Sequence, residues 1–255
     1  MGHHVLISGA SSGIGAATAH LAAERGWALS IGARRLERLQ ALAREIQKSY
    51  GVSVYAAPLD VRHADSVRNF VQGAMAHNGV PTVLVNNAGL ALGLRPLLDT
   101  PEADYQTMFQ TNVEGVIRLT QAVVPHMLQA GRGHVIMLGS IAGWEAYEGG
   151  SVYCATKFAL RALTQSLRQE LLGTPIRLTS IDPGMVETEF SLVRFRGDQE
   201  RARKVYEGLT PLRPEDVAQA ILWAVEQPEH VNVDVIILKP RDQASVFKVH
   251  RRVQG

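Results

Sequence analysis

Apolar residues in this chain gather into short, nearly unbroken runs, at His4–Ser8 and at residues 27–33, 52–59, 82–85, 134–138, 177–181 and 233–238. A brief continuous apolar run bounded by turn residues is the pattern of a strand buried on both faces. Between the runs, apolar positions recur at three- and four-residue spacing over residues 16–25, Leu36–Tyr50, and residues 64–77, 112–129, 153–172 and 214–226, which predicts helices. Thr100 and Pro101 read as an N-cap and first-turn proline opening the helical region that continues through Asn112, with Pro125 bending its last part. Strict alternation of buried strands and helices implies an α/β fold: a parallel sheet of about seven strands with helices on both faces, reached by right-handed crossovers.

Two stretches break this rhythm. Residues 185–207 are dense in charge, including Glu187, Glu189, Arg194, Arg196, Arg201, Arg203 and Lys204, and read as a mobile lid with helical pieces. From about residue 239 to residue 255 runs a basic tail with Arg241, Lys248, Arg251 and Arg252, either a subunit contact or a loose end. No repeat or low-complexity linker divides the chain, so residues 1–255 read as one domain.

Composition narrows the class. With 46% hydrophobic and 20% charged residues, the 255-residue chain is that of an ordinary globular protein, and a net charge of +2 argues against a dedicated nucleic-acid binder. Cys154 is the only cysteine, no apolar run approaches a membrane span, and the glycine turn begins at Gly9 with no room before it for a signal peptide. These features point to the cytoplasm. His3 and His4, without further ligands, make no metal site, and no metal is expected.

The first run leads into Gly9, Ser11, Ser12, Gly13, Ile14 and Gly15 and then into a helix. Glycines let the backbone turn tightly and approach a pyrophosphate, which the following helix N-terminus favours. The fold is therefore expected to be a doubly wound Rossmann-type sheet binding a dinucleotide. An acidic residue at the end of the second strand would hold the ribose hydroxyls of NAD, but Arg34 and Arg35 stand there. Guanidinium groups suit a 2′-phosphate, so NADP(H) is the expected cofactor; two solvated arginines beginning a helix are the alternative. Farther on, Tyr153 and Lys157 sit at i and i+4 on a helix, where they meet on one face. A phenol near its ordinary pKa of about 10 is a poor proton carrier until a nearby cation favours its phenolate.

The glycine turn, Asn86-Asn87-Ala88-Gly89, Asn112, Ser140, Tyr153-x-x-x-Lys157 and Pro183-Gly184 occur together and in order, and this set resembles the short-chain dehydrogenases/reductases over nearly the whole chain. Residues 87–93, Thr188-Glu189-Phe190-Ser191, Val193-Arg194-Phe195-Arg196-Gly197-Asp198 and His230-Val231-Asn232-Val233 are similar to the NADP-dependent 3-hydroxy acid dehydrogenases that also oxidise serine and allo-threonine. The chain departs from that subfamily in a shorter segment between Pro183 and Thr188 and in the loop Trp144-Glu145-Ala146-Tyr147, where substrate would enter.

The resemblance implies that Tyr153 gives or takes the substrate hydroxyl proton, Ser140 holds the carbonyl oxygen, Lys157 holds the nicotinamide ribose, and Asn112 anchors a water of the proton path. Asp60 and Val61 would meet adenine, Asn87, Ala88 and Gly89 would lie along the cofactor, and Pro183, Gly184, Val186 and Thr188 would line the nicotinamide side. Asp60 also reads as a turn residue, and Pro183-Gly184 as an ordinary strand end. Arg194 and Arg196 are candidates for a substrate carboxylate, or else solvated charges of the lid. Cys154 reads as a packing residue. The expected activity is hydride transfer between NADP(H) and a 3-hydroxy acid or β-hydroxy amino acid. Reduction of other small ketones or aldehydes is the alternative within the class, and a nonenzymatic NADP-binding sensor the alternative outside it. The resemblance also implies a homodimer or homotetramer.

Overall fold

The computed structural model describes residues 2–252. Its seven strands are β1 (His4–Ser8), β2 (Ala28–Ala33), β3 (Val54–Pro58), β4 (Val83–Asn86), β5 (Gly133–Leu138), β6 (Ile176–Pro183) and β7 (Val235–Leu238). They form one sheet in the order β3-β2-β1-β4-β5-β6-β7, parallel at every pairing. The chain leaves β1 toward β2 on one side and later returns to β4 on the other, so a crevice opens at the carboxyl ends of these strands, where such sheets bind ligands.

Side-chain alternation explains the unbroken apolar runs. On β1, Val5 and Ile7 pack into one core with Leu29 and Ile31, while Leu6 faces the opposite core with Leu84, Val135 and Leu178. The first core is closed by helices α1 (Gly13–Glu24), α2 (Leu36–Tyr50) and α9 (Pro214–Val225). The second is closed by α3 (Ala64–Asn78), α5 (Gly115–Gln129) and α6 (Ser151–Glu170). Either face exposed would leave a stripe of Val, Leu and Ile in water, so both faces must be covered.

Three differences from the sequence reading have local causes. β6 continues beyond Ile181 because Asp182 and Pro183 stay in register with Ile237 and Leu238 of β7, although the apolar run has ended. Thr100 does not cap a helix: its hydroxyl donates to the Pro96 carbonyl, and Pro101 precedes α4 (Glu102–Phe109). The region around Asn112 is a wide π turn, Gln110–Glu114, inserted between α4 and α5. The lid contains two short helices, α7 (Phe190–Arg194) and α8 (Gln199–Lys204).

The tail is not a loose end over its described part. Buried Gln243 accepts from the Met185 amide, Arg252 N donates to the Gly208 carbonyl, and the Arg251 guanidinium caps the Glu207 and Val205 carbonyls. It straps the lid to the body; residues 253–255 lie outside the described residues. Among the described residues no helix is long and apolar enough to cross a membrane.

Candidate active site

A cavity of about 700 Å³ runs along the carboxyl edge of the sheet, from the β1 turn across the ends of β4 and β5 to the lid. Of the residues expected to hold a cofactor, all but Gly15 line it. The glycine turn is shaped first by packing. A Cβ on Gly9 would lie 2.9 Å from Ala88 Cα, and one on Gly15 would lie 2.5 Å from Asn87 Nδ2. Asn87 uses that amide to donate to the Ser8 and Gly9 carbonyls, binding the end of β4 to the first turn. Helix α1 begins at Gly13, three residues earlier than expected, so its first amides stand beside the cavity. A shape that only glycine permits, next to a helix start, suits a pyrophosphate.

The arginines at the end of β2 are placed differently from each other. Arg34 and Arg35 both line the cavity, but Arg35 already donates to Ser11 Oγ at 3.2 Å and Ser12 Oγ at 2.6 Å and pairs with Glu189 at 2.6 Å. Glu189 spans Arg35 and Arg38 with its two oxygens, and those guanidinium groups hold its carboxyl down to about 2. Asp60 is engaged by Arg62 at 2.6 Å, which lowers its carboxyl to about 2, so its turn role and its place in the cavity wall coexist.

Ser140, Tyr153 and Lys157 converge. Ser140 caps the short turn Ile141–Gly143 by accepting from Ala142 N at 3.1 Å, and its hydroxyl lies where it favours the Tyr153 phenolate. Burial pushes the Tyr153 phenol above its ordinary range, with Tyr147 adding to the rise and Arg194 and the Ser140 hydroxyl opposing it. Lys157 Nζ lies 5.9 Å from the Tyr153 ring centre and donates to the Leu138 carbonyl at 2.8 Å. Burial lowers Lys157 to about 8, against the pull of Asp182.

Asn112, Arg196 and Trp144 stand outside the cavity lining. The Asn112 amide is taken up by both backbone groups of Leu90, at 2.9 and 2.8 Å, and by Thr156 at 3.1 Å. It fixes the loop after β4 against α6. Arg196 adopts a left-handed backbone, φ 54, and pairs with buried Asp104 at 2.5 Å. Arg194 does reach the cavity: it donates to the Tyr147 hydroxyl at 2.7 Å and its Cζ lies 5.1 Å from the Tyr153 ring centre. In the entry loop it is Tyr147 that faces the cavity, while the Trp144 indole turns inward to Asp182.

The short chain dehydrogenase family matches residues 3–198 of this chain. The chain belongs to that family. This dehydrogenase is 42% identical over 252 residues to an NADP-dependent 3-hydroxy acid dehydrogenase of Schizosaccharomyces pombe, covering 98% of this chain and 97% of the relative. It is 43% identical over 249 residues to sulfoacetaldehyde reductase 2 of Chromohalobacter salexigens, covering 97% and 98%. The closed form of serine dehydrogenase complexed with NADP+ superposes with a TM-score of 0.91 at 39% identity, covering 98% of this chain and all of that one.

Two neighbours of the dehydrogenase's site, Arg38 and Gln243, were not named from sequence, and two more, Tyr147 and Glu189, were named only as members of the entry loop and the lid. Arg38 was legible as the next exposed position one turn along α2 from Arg35. Gln243 was not, because nothing local distinguishes it within the tail.

Proposed function

We propose that this short-chain dehydrogenase transfers hydride between NADP(H) and a 3-hydroxy acid or β-hydroxy amino acid, or the matching carbonyl compound. The observation that carries the substrate class is Arg194, a guanidinium in the cavity wall beside Tyr153, steadied by Tyr147. Relatives of 42% and 39% identity that are an NADP-dependent 3-hydroxy acid dehydrogenase and a serine dehydrogenase support it.

When bound, the nicotinamide gives or takes the hydride. The glycine turn with Ser11 and Ser12 would hold the pyrophosphate, Arg34 and Arg35 the 2′-phosphate, and Lys157 the ribose hydroxyls. Ser140 holds the reacting oxygen and Tyr153 supplies its proton, for which a protonated phenol is the right form in the reducing direction. In the oxidising direction the same phenol must first give up its proton, and the Arg194 charge and the Ser140 hydroxyl favour that. One domain carries both binding and catalysis, in the cytoplasm, as a homodimer or homotetramer.

Oxidation of 3-hydroxypropionate and L-serine with NADP+ is the direct test. Arg194→Gln is expected to raise KM for these acids by roughly 10- to 100-fold, the scale of a charge-assisted bidentate contact, and to change KM for the corresponding methyl esters far less. Turnover confined to neutral ketones would overturn this assignment. The Chromohalobacter relative favours a second reading, in which Arg194 receives a sulfonate; NADPH-dependent reduction of sulfoacetaldehyde decides between the two.

A further inference from the structure

Asp182 is a buried carboxylate, 3% exposed, that no step above employs. One oxygen accepts from Ser180 Oγ at 2.6 Å and the other from Trp144 Nε1 at 2.6 Å. Room for it exists only because residue 139 is glycine, where a Cβ would lie 1.8 Å from Asp182 Oδ1. The other side of Trp144 is held as well: the Arg161 guanidinium stacks 3.5 Å from its ring centre and reaches the Gly143 carbonyl at 3.4 Å. Gly143 is pressed against α6, since a Cβ there would lie 2.8 Å from the Lys157 carbonyl. Trp144 is thus fastened at the exact end of the turn that carries Ser140, and that turn is fastened to the helix that carries Tyr153 and Lys157.

Charge follows the same path. Lys157 bonds to Leu138, which pairs in register with Ile181, the neighbour of Asp182. The groups facing Lys157 are Tyr153 on its own helix, the uncharged Asn112 across Gly89, and Asp182 on β6, with Arg161 one turn along α6. Burial drives the Lys157 ammonium toward losing its proton, and Asp182 is the charge that opposes it. The buried carboxylate in turn is relieved by its two hydrogen bonds and by the charges of Lys157 and Arg161.

We propose that Asp182 is a positioning residue for the catalytic pair: through Trp144 it holds the Ser140 turn in place, and its charge keeps Lys157 an ammonium. The inference rests on the reading of Lys157 as the cation of the cofactor site.

The experiment is NADPH affinity by nucleotide fluorescence from pH 6 to 9.5, alongside the pH profile of kcat. In the wild type, affinity falls as pH rises through about 8, where Lys157 loses its proton. Asp182→Asn retains both hydrogen bonds, because its oxygen accepts from Trp144 and its amide donates to a reversed Ser180 hydroxyl; only the charge is removed. The fall is expected to move about one pH unit lower, leaving NADPH roughly five-fold weaker at pH 8. Asp182→Ala removes the same charge, shifts the fall the same way and serves if Asp182→Asn does not fold. Trp144→Phe keeps the charge and the stack on Arg161, so it leaves the fall in place and lowers kcat at unchanged NADPH affinity. A folded Asp182→Asn or Asp182→Ala protein with wild-type profiles would overturn the role of Asp182 while leaving the Lys157 reading intact. A wild type whose NADPH affinity ignores pH up to 9.5 would sink both.

Discussion

Tyr153 has to be a proton donor in one direction and a base in the other, and its surroundings favour the first. It is buried, its phenol is pushed up, and Lys157 at 5.9 Å from the ring centre is not among the charges that offset this. Arg194 is, with its Cζ 5.1 Å from the ring centre. Arg194 therefore acts on the phenol as well as on an acidic substrate. Removing a cation raises the pKa of an acid that ionises to an anion, so in Arg194→Gln the base form of Tyr153 appears at higher pH. With the methyl ester of a 3-hydroxy acid, where no carboxylate is recognised, the alkaline rise in the oxidation rate should move to higher pH than in the wild type. An unmoved rise would restrict Arg194 to substrate binding. Tyr153→Phe, which lacks the proton, is expected to lose roughly 100- to 10,000-fold in kcat with its NADPH affinity retained.

The elements show what could be read in advance. Tyr153 and Lys157 were legible because a helix fixes the relation of i and i+4, and the strands were legible because burial on both faces leaves a run without polar gaps. Arg194 and Arg196 could not be told apart, because their fates separate only where α7 ends: Arg194 completes the helix, and two residues on Arg196 turns left-handed toward Asp104. Asn112 was expected to anchor a water of the proton path, and its side-chain amide bonds to Leu90 and Thr156, long-range partners that no local pattern records. The start of α7 is held by Glu189 on Arg35 and Arg38, and this pairing joins the lid to the second strand's end. Exposed ion pairs are individually weak and screened by salt. Glu189→Gln is accordingly expected to speed tryptic cleavage in the lid, at Arg194, Arg201 and Arg203, by roughly three- to ten-fold at low salt. The effect should shrink at high salt, and equal cleavage rates at low salt would show that the pairing does not restrain the lid.

Across the whole molecule, the opposite edge of the sheet carries a liability that the active site does not share. His4 opens β1, buried between the Gly79 carbonyl at 3.0 Å and Ser30 Oγ at 2.8 Å, and burial lowers it to about 4. His134 on β5, buried and bonded to Thr179 at 2.7 Å, is lowered to about 3 by burial and by Arg177. Both rings fold neutral. An unfolded histidine takes its proton near pH 6.5, so below that value the unfolded chain binds more protons and stability declines with pH. The contribution is whole above pH 6.5 and is lost as pH falls toward 4 for His4 and toward 3 for His134. Converted at 1.36 kcal/mol per unit, each site costs about 3 to 5 kcal/mol by the end of its window. Asp60 and Glu189 act in a separate range: their carboxyls, depressed to about 2, stabilise fully above their unfolded values and lose that contribution only as pH falls through 2. Urea midpoints measured at pH 7, 5.5 and 4.5 should therefore fall steadily in the wild type, above the range where Asp60 and Glu189 lose most of their contribution. In the His4→Gln, His134→Gln double variant, whose amides can still reach Ser30 and Thr179, the decline between pH 6.5 and 4.5 should flatten; a decline as steep as the wild type's would place the acid sensitivity elsewhere.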